Sequence, residues 1–178
     1  MTAPTPAAPR SRHPRLLAGV FGMLLLALVL ALSTAALWRA RQRALETNAV
    51  GSMRAYCSAQ SMCRSGTGDL PYADYCHPYT ELVTRKGRDG KPMELIAPEH
   101  AAARGPQGSP YHGYLFDDLR TIDGEPIDWL NDYGLCATPA RYGVTGRRTF
   151  IVDTRGFVWG KDLGKSGFVK DYPSEPAS

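Results

Sequence analysis

The sequence predicts an α+β protein in which one long N-terminal helix, half membrane-spanning and half soluble, packs on a four-stranded antiparallel sheet. Three observations predict it. Residues 16–38 read LLAGVFGMLLLALVLALSTAALW, without a single charge. Beyond that run Val50, Met53, Tyr56, Cys57 and Gln60 recur at helical spacing. In the last third, four short stretches rich in β-branched and aromatic residues are separated by turn residues.

In chain order, residues 1–15 (MTAPTPAAPRSRHPR) lack apolar periodicity and predict a disordered cytoplasmic tail. Residues 16–38 would make a helix of about 35 Å, enough for a bilayer core of about 30 Å. The run ends in Trp38 followed by Arg39, Arg41 and Arg43, the pattern a membrane interface favours. Ser33-Thr34-Ala35 offers a small-x-small cleavage site, but the apolar run is longer than the roughly 7–15 residues of a signal-peptide core. The reading is an uncleaved single-pass anchor that meets membrane lipid through residues 16–38. The N-terminus lies in the cytoplasm and one domain, residues 39–178, lies outside it.

The formal net charge is +4. Of the 21 Lys and Arg residues, Arg10, Arg12 and Arg15 precede the span, leaving 18 to face 17 Asp and Glu. A nearly neutral domain carries no electrostatic footprint for nucleic acid, and none is expected as a partner.

The helix should continue past the membrane to Arg64, making a rod of about 70 Å from Leu16. Arg41, Arg43, Glu46 and Ala59 fall off its apolar stripe, and Ser65-Gly66-Thr67-Gly68 should stop it. Residues 66–110 read as irregular, with helical turns near 79–83 and 94–103 and a turn at Arg88-Asp89-Gly90-Lys91. Strands are expected at 111–119, 134–138, 148–152 and 157–160. The last two form a hairpin through Asp153-Thr154-Arg155-Gly156. The aromatic residues Tyr111, Tyr114, Tyr133, Tyr142 and Trp159 are expected in the core.

Four cysteines, Cys57, Cys63, Cys76 and Cys136, read as disulfide candidates in an exported domain. A Cys57–Cys63 bond is disfavoured, because six residues of helix rise by about 9 Å against a limit of about 7 Å between bridged Cα atoms. Two pairings remain. The favoured one joins Cys63 to Cys76 and Cys57 to Cys136. Zinc is the alternative, through Cys57, Cys63, Cys76 and His77, but these spacings match no usual zinc site.

Other chemical motifs are weak. The stretch from Gly160 to Ser166 has one residue too few between its glycines for a phosphate loop. There is no Gly-x-Ser-x-Gly and no His-Glu-x-x-His, and His77, His100 and His112 are scattered. Asp117, Asp118, Asp123, Glu125, Asp128 and Asp132 form an acidic run whose oxygens suit calcium, without EF-hand spacing. The sequence predicts no catalytic residue, cofactor site or metal site, and so no enzyme.

Within residues 110–164 the chain reads PYHGYLFDDL, then YGLCATPARYGVTG, then RTFIVDTRGFVWGKDLG. This resembles the C-terminal half of an exported bacterial family of unknown function. Asn48-Ala49-Val50-Gly51-Ser52-Met53-Arg54 and Ala59-Gln60 resemble the helix of that family and of type IV pilin-like proteins. The resemblance implies a pilin-like, or pseudopilin-like, architecture. It further implies a non-catalytic accessory of an envelope secretion or pilus-like system in the bacterial cytoplasmic (inner) membrane, with self-association or envelope proteins as partners. The chain departs from the pilin pattern in its leader. Gly22-Met23 stands at the cleavage position, but Ala27 stands where a pilin carries glutamate, and Gly22 lies inside the apolar run. The rival reading is a tethered module that binds a small ligand or calcium, and the third is a tethered envelope enzyme.

Overall fold

The computed structural model describes residues 13–65, 74–87 and 89–172. Helix α1 runs His13–Ser65. The chain divides into two units, Met1–Ala40 and Arg41–Ser178. In the first, the side chains of Phe21, Leu24, Leu26, Val29, Leu32 and Leu37 are all exposed, so nothing among the described residues covers this apolar surface. This is the one helix among the described residues that is long and apolar enough to cross a membrane. Most of the N-terminal tail expected at 1–15, residues 1–12, lies outside the described residues.

In the second unit α1 becomes a core element. Ala49, Met53, Tyr56, Gln60 and Cys63 form its buried stripe, in alternating steps of four and three residues. This corrects the sequence reading in one respect. Ala59, read as off the stripe, is buried together with Ser52, whereas Val50 and Cys57 are only half-buried. The helix ends at Ser65. The remainder of its expected stop, Gly66-Thr67-Gly68, falls outside the described residues.

Between helix and sheet, α2 (Glu81–Thr84) and α3 (Pro98–Ala102) are single turns in otherwise irregular chain. Glu94 takes a left-handed φ of 47°, so the helix expected over 94–103 cannot begin there. Proline at the first turn of α3 sets its actual start. The Arg88-Asp89-Gly90-Lys91 turn loses Arg88 to the undescribed residues, but Gly87 and Lys91 close it with a 2.8 Å N–H···O bond.

The sheet comprises β1 (Tyr114–Asp118), β4 (Gly134–Pro139), β5 (Arg148–Asp153) and β6 (Trp159–Asp162), antiparallel in the order β1-β4-β5-β6. Three two-residue strands, β2 (Thr121–Ile122), β3 (Glu125–Pro126) and β7 (Asp171–Tyr172), make a second small sheet that the sequence reading did not anticipate. The first strand is shorter than expected because His112 (φ 49°) and Gly113 (φ 80°) turn the chain, and Tyr111 and Tyr114 exchange both backbone hydrogen bonds across that turn. The hairpin closes through Gly156 N–H to the Asp153 carbonyl (2.9 Å), with β6 starting two residues later than expected.

Register decides which side chains face the helix. Phe116, Ala137 and Phe150 lie in one cross-strand row on the helix side, with Tyr114, Leu135 and Val152. Cys136 and Ile151 belong to the next row and point the other way, onto a small cluster with Leu119 that Phe168 and Val169 cover. Close approach requires glycine at several positions, among them 146 and 160. The Tyr114 hydroxyl fills the place where a Cβ on Gly146 would sit, and the Phe150 ring lies 2.6 Å from one on Gly160. Of the aromatic residues expected in the core, Tyr114 and Tyr133 are buried, but Trp159 on the edge strand β6 is 42% exposed.

Candidate ligand groove beside His100

Small residues on α1 leave room for a groove. Gly51, Ser52 and Ala55 present little side chain, and a Cβ at Gly51 would meet nothing within 4 Å. Leu95, Ile96 and Ala97 form the opposite wall, His100 the floor, and the Tyr111-His112 turn one end. The groove is open to solvent on one side and its volume is about 580 Å³.

His100 is the distinctive residue. It is only 2% exposed, and its Nε2 has no hydrogen-bond partner among the described residues. Its ring stacks on Tyr111 (5.2 Å between centroids, 13° between planes) and meets the edge of Phe116 at 4.3 Å. The Tyr79 hydroxyl donates to the His100 carbonyl at 3.1 Å, anchoring the backbone. Burial, with the nearby His112 adding to it, pushes the imidazole down to about 4, so the ring is neutral at physiological pH. Nothing in the lining carries a formal charge while the two histidines are neutral. The groove therefore offers apolar and hydrogen-bonding side chains and no formal charge in that state.

Ser52 Oγ donates to the Asn48 carbonyl (3.0 Å) and Thr47 Oγ1 to the Arg43 carbonyl (2.9 Å), so neither hydroxyl proton is offered to a histidine. The two free thiols lie elsewhere and are protonated. Burial pushes Cys57 up and Cys136 up to about 12.

Asp118 is a second buried titratable group, on the helix side of β1. Its carboxylate accepts the Tyr79 N–H (3.1 Å) and faces Arg104 at 3.6 Å. Burial outweighs both partners and pushes it up to about 7. Tyr79 thus touches both unusual groups, Asp118 through its N–H and His100 through its hydroxyl.

The cysteines resolve into one bond and two thiols. Cys63 and Cys76 form a disulfide with Cα atoms 6.2 Å apart. Beside it the Gln60 amide clamps the Cys76 backbone twice, donating to its carbonyl at 2.9 Å and accepting its N–H at 2.8 Å. The expected Cys57–Cys136 bond is absent, because Cys57 packs on the helix side of the sheet and Cys136 faces the opposite cluster.

The acidic run disperses. Asp117 pairs with Lys170 at 2.5 Å, Asp128 caps its own turn through Leu130 N–H, and Asp132 accepts from Thr154 at 3.1 Å. Among the described residues no three His, Cys, Asp or Glu side chains are grouped to hold a metal ion. His77 stacks on Trp129 with centroids 3.6 Å apart, away from the groove. In the stretch from Gly160 to Ser166, Asp162 accepts the Gly164 N–H and Ser166 Oγ accepts the Tyr142 N–H, which makes it a surface turn. Sequence reasoning singled out His100 and His112 without linking them. It missed Asn48, Ser52 and Ile96; for the two on α1 the one sequence signal is the small residues Gly51, Ser52 and Ala55, and Ile96 carries none.

The model of a family described as "Protein of unknown function (DUF2950)" matches residues 39–171, three quarters of the chain, beginning where the apolar run ends. The chain belongs to that family. No curated protein matches the chain, and no solved structure matches it.

Proposed function

We propose that this DUF2950 member is a single-pass, membrane-anchored protein of the bacterial envelope whose pilin-like domain works outside the cytoplasm without catalysing a reaction. One observation carries this reading. The helix whose first half is apolar and uncovered supplies in its second half the spine of a domain closed by the Cys63–Cys76 disulfide. A disulfide of this kind persists in an oxidising compartment. A long helix against an antiparallel sheet supports the pilin-like description, and the engaged hydroxyls and protonated thiols support a non-catalytic role. Within the envelope, an accessory of a secretion or pilus-like system fits best.

Protease digestion of spheroplasts from cells making the full chain tests the topology. The domain should be digested from outside, while a fragment containing residues 16–38 stays in the membrane after carbonate washing. A mature N-terminus at Ala36 would replace the anchor with a cleaved signal, and one at Met23 would indicate prepilin-type processing. Crosslinking in cells tests the accessory role, with self-adducts or envelope-protein adducts expected and an uncrosslinked monomer counting against it.

The groove favours a second reading, a tethered module that binds a small uncharged ligand beside His100. Its calcium version is disfavoured by the dispersal of the acidic run. Calcium should leave the thermal midpoint unchanged, whereas a groove ligand should raise it and shift the His100 ring resonances.

A further inference from the structure

Residues 141–148 (RYGVTGRR) form a loop closed on itself. Thr145 N–H donates to the Arg141 carbonyl (2.9 Å), Arg141 N–H to Thr145 Oγ1 (3.1 Å), and Gly143 N–H to the Gly146 carbonyl (2.8 Å). The loop is pinned to the first turns of the domain's part of α1. Gln42 Nε2 donates to the Gly143 carbonyl. Glu46 Oε1 accepts the backbone N–H groups of Arg147 (2.9 Å) and Arg148 (3.4 Å).

Chain connectivity keeps the charge of this loop near the end of the apolar run. Gln42 follows Trp38, the aromatic end of the apolar run, by four residues. Four residues reach at most about 14 Å even when fully extended. The loop fastened to Gln42 is therefore held close to the headgroup layer, which adds about 5–8 Å to each side of the hydrocarbon core.

The surface there is strongly basic. Arg41, Arg43, Arg141, Arg147 and Arg148 are all exposed. Among the described residues two acids accompany these five arginines, one of them, Asp162, facing Arg147 and Arg148 electrostatically, so the excess is three positive charges. Glu46 is half-buried under two backbone N–H groups, and Asp162 accepts from the Tyr142 hydroxyl and the Gly164 N–H, each at 2.9 Å. The domain as a whole is nearly neutral, so this basic face is a local feature and not a reflection of composition. Guanidinium groups bind phosphate oxygens in forked pairs, and basic residues beside a span are drawn to anionic lipid.

We propose that Arg43 and the arginines of the 141–148 loop form a docking face for the phosphate headgroups of anionic phospholipids, holding the domain against the leaflet from which it emerges. The proposal rests on the anchor reading above. The test uses the full chain in nanodiscs, either phosphatidylcholine alone or with about a third phosphatidylglycerol, at low salt. Carbonate extraction of membranes comes first, and release of the chain would overturn the anchor and the docking face together. Hydrogen exchange of the 141–148 backbone should then be about threefold or more slower with phosphatidylglycerol. The slowing should disappear in about 0.5 M salt and in the R141Q/R147Q/R148Q variant. Equal exchange in the two lipids, or slowing that survives salt or the triple substitution, would overturn the docking face while leaving the anchor standing. Should the triple variant fold poorly, the salt titration on the unaltered chain decides between the same two outcomes.

Discussion

The two faces of the four-stranded sheet are built differently. The helix face holds a continuous cluster in which Met53 and Tyr56 from α1 meet Phe116, Leu135, Phe150 and Val152 from the strands. It also buries Gln60, Asp118 and His100. The opposite face holds three buried apolar residues, Leu119, Cys136 and Ile151, beside the buried polar Thr138, Thr149 and Asp153, under a cover made of half-buried Phe168 and Val169. That cover is fastened by Gly167 N–H to Thr138 Oγ1 (2.9 Å), by Val169 N–H to Cys136 Sγ (3.3 Å), by the Lys170 carbonyl accepting from Arg120 N–H (2.8 Å) and Thr121 N–H (3.2 Å), and by the Lys170–Asp117 ion pair. The lesson is a division of labour. Buried area on the helix face specifies the fold, and the thin face closes a sheet already formed.

The largest test of this division is Phe116→Ala, which should cost about 3–5 kcal/mol by opening a cavity in the thick face. Denaturant unfolding of the purified chain measures it, and a loss under about 1 kcal/mol would mean the helix face is not the principal core. Next is the disulfide. Replacing Cys63 and Cys76 by serine frees a 13-residue separation and should cost about 3 kcal/mol. Mass spectrometry of the alkylated, unreduced protein should find two reactive thiols, Cys57 and Cys136, only after unfolding for the latter.

The polar groups of the thick face give a pH signature of intermediate size. Asp118, pushed up to about 7, keeps its proton when folded at pH values where the unfolded carboxyl has lost it. Its contribution to stability is full below about pH 4 and is lost as pH rises toward 7. His100, pushed down to about 4, refuses a proton that the unfolded ring accepts. Its contribution is full above about pH 6.5 and is lost as pH falls toward 4. The slopes oppose each other between pH 4 and 6.5, so these two groups together leave stability nearly flat there. Asp118→Asn should remove one slope and expose the other, giving a loss of about 1–3 kcal/mol on acidification relative to the parent. His100→Phe should do the reverse, with stability falling as pH rises. Parallel pH profiles for parent and variants would refute both assignments.

The smallest expected effect lies on the thin face. Phe168→Ala should cost about 1–2 kcal/mol, since the ring is only half-buried, and should speed hydrogen exchange in β7 more than in β4. An effect as large as that of Phe116→Ala would erase the distinction between the faces.

Much of this fold was legible in the residues. The apolar run 16–38, the continuing helix, the four strands and the hairpin at Asp153-Thr154-Arg155-Gly156 each carry a local signal of periodicity or turn chemistry. The groove was not. Its walls come from α1, the 95–97 segment, α3 and the 111–112 turn, and no local pattern ties residues so far apart. The two-residue strands were equally hidden, because pairing of Thr121–Ile122 with Asp171–Tyr172 is a contact across about 50 residues.

The sequence by itself determined the apolar helix and its continuation into a domain, because length and period are properties of the local chain, whereas for the cysteines it left two pairings open. Tertiary structure alone decided that Cys57 and Cys136 never meet. Side chains alternate along a strand, so a shift of one residue between Cys136 and Ala137 sends a side chain to the opposite face of the sheet. It alone buried His100 and Asp118 on either side of Tyr79, because a group's protonation follows the solvent and partners that the folded chain assembles around it.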